Sequence, residues 1–293
     1  MATAVTTRLE DKYVTIDGLK VRYIEQGSGP VALFLHGASL GSTSDVFVDM
    51  IPQFADAGFR AVAFDIPGFG LSDTPAQQSV KAQRESIPKF IDAAKLGKVA
   101  LMAHSRSGGF AVELALAEPQ RYSHVVILGS GNLLPPQDEG QVQRHAAAQQ
   151  RADQMMAEKE PTLEDSRKQL QADTFNHALL TEERVRVRNS RSIGQNFKNH
   201  VARQAGGEGP PGAGGGAPGG AAQKPLWQRI TELKMPIMLM YGREDRAHAA
   251  ERAMQMKQQH PEMNIHIIPN CKHLVPWDAA DEVLRLSVPF LRS

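Results

Sequence analysis

Val99-Ala100-Leu101-Met102-Ala103-His104-Ser105-Arg106-Ser107-Gly108-Gly109 is the stretch on which the reading of this chain turns. Its first five residues are continuously apolar and read as a buried strand. From Phe110 to Glu118 the sequence reads as a strongly apolar helix, stopped by Pro119. Strand, sharp turn with a serine at its apex, then helix: this layout lifts one hydroxyl out of a sheet and aims a helix N-terminus at it. A serine hydroxyl is a weak nucleophile until a base takes its proton. The layout therefore predicts a histidine and an acid later in the chain.

Both follow in order. Pro236 to Tyr241 reads as a second apolar strand, with Gly242-Arg243-Glu244-Asp245-Arg246 after it. Met263 to Ile268 reads as a third, followed by the loop Pro269-Asn270-Cys271-Lys272-His273. Ser105, Asp245 and His273 are the expected nucleophile, acid and base. Ser107 competes for the nucleophile position, because Ser105 to Gly109 also fits small-x-Ser-x-small. Ser105 is favoured because it lies directly after the strand. Glu244 competes with Asp245 for the acid role, and Asp65 is a more distant candidate.

Working outward, Tyr13–Ile16 and Leu19–Ile24 flank Asp17-Gly18 and read as a hairpin. Val31–Leu35 suits a central parallel strand. A short helix from Ile51 to Gly58 precedes the strand Arg60–Asp65. The next helix shows one face at Ile87, Phe90, Ile91 and Ala94, and Pro88 is expected to kink it or mark its start. Tyr122–Gly129 reads as a further strand. Strands alternating with helices predict an α/β fold with a mostly parallel, doubly wound sheet.

The alternation stops near Asn132 and resumes at Pro225. The expected organisation is a core over 1–131 and 225–293, with an inserted helical cap over 132–224. Such an insertion sits over the C-terminal ends of the strands, where open α/β sheets bind ligands. Residues 205–222 are almost all Gly, Ala and Pro, and read as a mobile linker.

Attack by a serine on a carbonyl creates a negative oxygen that needs donors. The expected donors are the backbone N–H of Arg106, next after the nucleophile, and that of Ala38 in the loop His36-Gly37-Ala38-Ser39. The Arg106 side chain either meets solvent or lies near the substrate. His36 and His104 are expected to be buried supports of the turn. His36, His104, His124, His177, His200 and His266 lack metal-ligand spacing, so no metal or other cofactor is expected. Arg184, Arg186, Arg188 and Arg191 lie on a predicted cap helix. Their pattern reads as a solvated face, from which one could turn inward to bind a carboxylate.

Bulk properties fit one domain with an insertion: 293 residues and a net charge of +1. That charge argues against a nucleic-acid surface. The first residues show no signal pattern, and no apolar run approaches a membrane span. Cys271 is the only cysteine, which excludes an internal disulfide. The expected partner is a small-molecule substrate, the expected address cytoplasmic, and a homodimer through cap or edge strand is compatible with the fold.

Phe34-Leu35-His36-Gly37, Phe64 to Asp73, the serine turn, Tyr241 to Asp245 and Cys271-Lys272-His273 together resemble the α/β-hydrolase family. The resemblance covers most of 13–131 and 225–291. Within that family the chain looks most like the meta-cleavage product hydrolases, which split C–C bonds in ring-opened aromatic compounds. The features are Gly242 to Arg246, Trp277-Asp278-Ala279-Ala280-Asp281-Glu282 and Leu180 to Arg188. By that resemblance Arg188 is a clamp for a substrate carboxylate, and Ser39, His104 and Leu274 are further substrate-binding positions. Three places depart from the family pattern: His104 stands for an Asn, Leu274 for a Trp, and Ala38-Ser39-Leu40-Gly41-Ser42 for a glycine-rich loop. The resemblance implies hydrolysis of a C–C bond in a vinylogous diketone acid. A carboxylesterase or lactonase needs the same machinery, and a non-catalytic binding protein on this fold is the third reading.

Overall fold

The computed structural model describes residues 9–142, 159–205, 224–246 and 248–293. Eight strands form one sheet: β1 (Lys12–Ile16), β2 (Leu19–Gln26), β3 (Val31–Leu35), β4 (Arg60–Phe64), β5 (Val99–His104), β6 (Tyr122–Leu128), β7 (Ile237–Gly242) and β8 (Asn264–Ile268). Their order is β1-β2-β4-β3-β5-β6-β7-β8. β1 and β2 form an antiparallel pair, β2 runs antiparallel to β4, and every other pairing is parallel. At the β1–β2 turn, Asp17 and Gly18 both have positive φ, as a two-residue hairpin turn requires.

The central strands are buried on both faces, which is why they read as unbroken apolar runs. Alternate residues serve opposite sides. Leu33, Leu35, Leu101 and Ala103 join the core shared with α2 (Val80–Ala93) and α3 (Ser107–Ala117). Ala32, Phe34, Ala100 and Met102 join the core under α1 (Met50–Asp56).

Two helix boundaries differ from the sequence reading. α3 starts at Ser107, three residues before the apolar run, because the turn itself supplies the first helical residues. α2 starts at Val80, where the Ser79 hydroxyl caps Ala82 N–H, and Pro88 lies inside the helix. Pro88 is therefore neither the start nor the end of that element.

Between β6 and β7 the described residues are helical: α4 (Leu163–Asp173), α5 (Glu182–Ser190) and α6 (Gln195–Ala205). The Gly/Pro-rich stretch lies outside the described residues except for Ala205, the last residue of α6. These helices pack on loops at the carboxyl ends of β3 and β4. Arg191 Nε pairs with Asp45 at 2.9 Å, and Arg184 pairs with Asp49. Asn199 and Arg203 donate to the Gly68 carbonyl, and the Arg203 guanidinium lies over the Phe69 ring. Burial works against the Asp45 charge, but Arg22 and Arg191 outweigh it and hold the carboxyl below its ordinary pKa. Ala249–Gln259 (α7) and Ala280–Phe290 (α8) complete the layers. No helix among the described residues is long and apolar enough to cross a membrane.

Candidate active site

β5 ends at His104 and α3 begins at Ser107, so the chain must reverse across Ser105 and Arg106. Ser105 does this with φ +54, a left-handed conformation that costs a non-glycine residue about 1–3 kcal/mol. The surroundings hold it there. Ser105 N–H donates to the Leu128 carbonyl at 2.9 Å, and Ser130 Oγ donates to the Ser105 carbonyl at 2.5 Å. A Cβ at Gly108 would stand 2.4 Å from Ser130 Oγ, which is why the helix start needs glycine there. Ser107 is 1% exposed and its hydroxyl donates to the His36 carbonyl. Of the two serines, only Ser105 reaches a histidine ring.

That histidine is His273. Its Nε2 lies 3.0 Å from Ser105 Oγ and its Nδ1 lies 3.1 Å from Asp245 Oδ2. The Asp245 side chain is 3% exposed and follows β7. Glu244 is committed elsewhere: its carboxylate accepts from Cys271 N–H, and its own N–H donates to the Cys271 carbonyl. Asp65 is fully buried and accepts from Ser44, Leu71 and Arg22, so it is a structural acid. The loop holding His273 also passes close to Gly242, where a Cβ would stand 2.2 Å from the Cys271 carbonyl oxygen. Gly242→Ala is expected to destabilise the protein by about 1–3 kcal/mol through overpacking, measured by urea unfolding. An unchanged unfolding midpoint would mean the loop has slack.

The remaining sequence candidates separate by burial and partner. Ala38 N–H has no partner among the described residues. Arg106 is the N-cap of α3, and its side chain reaches Gln83 at 3.3 Å on α2. His36 Nε2 accepts from Ile66 N–H, and its Nδ1 lies 2.6 Å from the Gly37 carbonyl, so it supports the loop as a neutral ring. His104 Nε2 lies 2.9 Å from the His273 carbonyl. Burial first, then the His273 charge, push His104 down to about 3, so it stays neutral and donates to that carbonyl. Leu274 is packed in the core, with its N–H on the Asp173 carbonyl. Cys271 is buried and its thiol is pushed up by burial, which makes it inert.

The arginine series is not a uniform solvated face. Arg184 and Arg191 fasten α5 to the core, and Arg186 is exposed. Arg188 turns inward and is 9% exposed. Its Nη2 donates to Ser39 Oγ at 3.1 Å, and its Nε is buried without a hydrogen bond. Burial pushes its guanidinium down to about 10, against the pull of Asp173 and with the repulsion of Arg246, so it remains charged near neutrality. Ser39 also touches Ser42 Oγ at 2.9 Å.

Residues that sequence spacing did not single out for the site fasten it to the cap. The Asp278 carboxylate accepts from Phe175, Asn176 and Lys272 N–H groups. Asp173 pairs with Arg246 at 3.2 Å. Asp278 with Phe175 and Asn176, and Asp173 with Arg246, join segments far apart in the chain, so no local pattern signals these contacts. Among the described residues no cluster of His, Cys, Asp and Glu is arranged to hold a metal ion.

Comparison with known proteins identifies the fold family. A family model described as alpha/beta hydrolase fold matches residues 30–280. The chain is 27% identical to a 2-hydroxy-6-oxononadienedioate/2-hydroxy-6-oxononatrienedioate hydrolase of Burkholderia vietnamiensis, over 98% of this chain and 97% of that one. It is 25% identical to a 2-hydroxy-6-oxo-6-phenylhexa-2,4-dienoate hydrolase of Burkholderia cepacia, over 99% of both. Among solved structures, a serine hydrolase involved in carbazole degradation superposes with a TM-score of 0.75 at 20% identity, covering 97% of this chain and 99% of that one.

Proposed function

The chain belongs to the alpha/beta hydrolase fold family, and from that premise we propose that it hydrolyses a C–C bond in a vinylogous diketone acid, with Ser105, His273 and Asp245 as its catalytic residues. That the protein is a hydrolase follows from the family and its named relatives. The choice of an acidic substrate is carried by one observation above the rest. Arg188 is a buried cation with an unsatisfied N–H, fastened to the loop that carries Ala38. A buried charge without an anionic partner is costly and persists where a ligand supplies that partner. The relatives named for 2-hydroxy-6-oxo-dienoates act on such acids.

The Ser105–His273–Asp245 contacts support the following steps. Asp245 holds the His273 proton on Nδ1, which leaves Nε2 to accept from Ser105 Oγ–H. Arg188 grips the substrate carboxylate. The enol loses its hydroxyl proton and gains one at the carbon beside the ketone, with His273 assisting. Ser105 Oγ, or water in its place, then adds to the ketone carbon and its proton passes to His273. The N–H groups of Ala38 and Arg106 receive the negative oxygen, each such donor being worth about 3–4 kcal/mol in the transition state. As the carbonyl re-forms, the C–C bond breaks and its electron pair leaves as an enolate conjugated with the new ketone. His273 returns the proton to that carbon. Where Ser105 is the nucleophile, water releases the acyl group as a second acid.

The test is a side-by-side assay of a coloured ring-cleavage dienoate and p-nitrophenyl acetate. Rapid loss of the dienoate colour with slow ester cleavage is the expected result. Rapid ester cleavage with an untouched dienoate would make the protein an esterase on the same triad. Arg188→Ala is expected to raise KM for the acid by about a hundredfold and to change KM for the neutral ester far less. Equal effects on both substrates would remove the clamp.

A further inference from the structure

The Ser105 carbonyl accepts from two donors, Gly108 N–H at 3.0 Å and Ser130 Oγ at 2.5 Å. The first bond lies within the opening turn of α3 and moves with that helix. The second ties the same carbonyl to a different part of the sheet, because Ser130 follows the end of β6. Ser130 is fully buried and is itself fixed by its neighbours. Its carbonyl accepts from the Tyr241 hydroxyl at 3.2 Å and from Leu133 N–H at 3.1 Å. Gly129 N–H, just before it, donates to the Met240 carbonyl on β7 at 2.8 Å. Gly108, lacking a Cβ, leaves the room that the Ser130 side chain fills. Asn132 is the other partner of the Ser130 hydroxyl. A hydroxyl has one proton and can also accept, so both contacts are served when the Asn132 amide turns its NH₂ toward Ser130 Oγ.

The peptide that Ser130 holds runs from the Ser105 carbonyl to the Arg106 N–H. It is planar and trans, so the two groups point in opposite directions. Fixing the carbonyl therefore fixes the direction of the N–H. A donor on the carbonyl also polarises the peptide and strengthens its N–H as a donor. An oxyanion is stabilised most by donors that are aimed at it before the reaction begins.

We propose that Ser130 is a positioning residue for the oxyanion site: its hydroxyl sets the plane of the peptide between Ser105 and Arg106, and so aims the Arg106 N–H at the negative oxygen formed when Ser105 attacks. This role rests on those given above to Ser105 and Arg106. Ser130 acts through a backbone carbonyl and not on the reacting atoms.

The experiment binds phenylboronic acid to wild type, Ser130→Ala, Ser130→Thr, Ser130→Val and Ser105→Ala. Ser105 Oγ adds to boron as its proton passes to His273, and the tetrahedral adduct carries negative charge as the oxyanion does. Binding is followed by amide NMR on protein carrying isotopically labelled arginine, with the Arg106 signal identified by its loss in Arg106→Lys. In wild type the Arg106 amide proton is expected to move downfield at saturation. Deleting an oxyanion donor outright costs about 10²–10³ in kcat. Ser130→Ala misaims one, and is expected to raise Kd for the boronate by about 10–100-fold and to shrink the Arg106 shift. It should lower kcat by a similar factor on whichever assay substrate turns over, with KM within about threefold. Thr and Val share a shape and differ in the hydroxyl, so Ser130→Thr should bind the boronate about tenfold tighter than Ser130→Val, even where the added methyl disturbs both. That pair decides the matter if Ser130→Ala does not fold. A merely structural role predicts a lower Tm with the Kd and Arg106 shift of wild type. That result, or equal Kd in Ser130→Thr and Ser130→Val, overturns the proposal while leaving the triad in place. If the boronate binds through Ser105 without moving the Arg106 amide of wild type, the oxyanion role of Arg106 is wrong and this inference falls with it. If Ser105→Ala binds the boronate as tightly as wild type, the nucleophile assignment fails and takes this inference with it.

Discussion

Ser105→Ala is expected to lower kcat by about 10⁴–10⁶-fold while KM moves by only a few-fold. The alanine keeps the Cβ and fits the same turn, but nothing is left at 3.0 Å for His273 Nε2 to deprotonate. What survives is binding and the oxyanion donors, which retain some catalysis over water. Nucleophile and base act as one unit, so Ser105→Ala with His273→Ala should cost no more than either alone. A fluorophosphonate probe should label wild type and not Ser105→Ala. Ser107→Ala is the comparison, because its hydroxyl serves only the His36 carbonyl. It should cost about 1 kcal/mol of stability and little activity. Near-wild-type turnover of the dienoate by Ser105→Ala would mean that water, activated by His273, is the nucleophile.

The fold was legible because its signals are local. The runs Val31–Leu35, Val99–Ala103 and Val125–Leu128 are apolar at every position, and each lies in a strand buried on both faces. The Asp17-Gly18 turn carries its own backbone requirement. Ser105, Asp245 and His273 were legible for a related reason: each lies in the loop after a strand whose end is readable, and the sheet brings those ends together. The choice between Glu244 and Asp245 needed the structure, since both lie in the same turn and only contacts separate them. The arginine series was read as a solvated face because residues two apart on a helix face different ways. Nothing in their order tells which will meet Asp45, Asp49 or Ser39. Arg246 and Asp278 lie in segments that carry the family resemblance, but nothing local showed that they would meet Asp173 and Phe175, because each of these contacts crosses the boundary between cap and core.

Asp245→Asn should lower kcat by about 10⁴-fold with little change in folding, because the side chain is isosteric and almost wholly buried. The carboxylate can only accept, so it fixes the His273 proton on Nδ1 at 3.1 Å. An asparagine at that place can turn its amide NH₂ toward Nδ1. Nδ1 then becomes the acceptor and the proton moves to Nε2, where it faces Ser105 Oγ and blocks proton abstraction. The imidazolium formed during reaction also loses its counter-charge. Glu244→Gln supplies the contrast. Its amide oxygen can still accept from Cys271 N–H, so the loop stays in place and kcat should remain within about threefold of wild type. Both substitutions remove one negative charge from the same turn. A general electrostatic effect of that charge would therefore depress both variants alike, and only control of the histidine tautomer predicts that Asp245→Asn alone collapses. Equal losses in the two, or a larger loss in Glu244→Gln, would transfer the acid role away from Asp245.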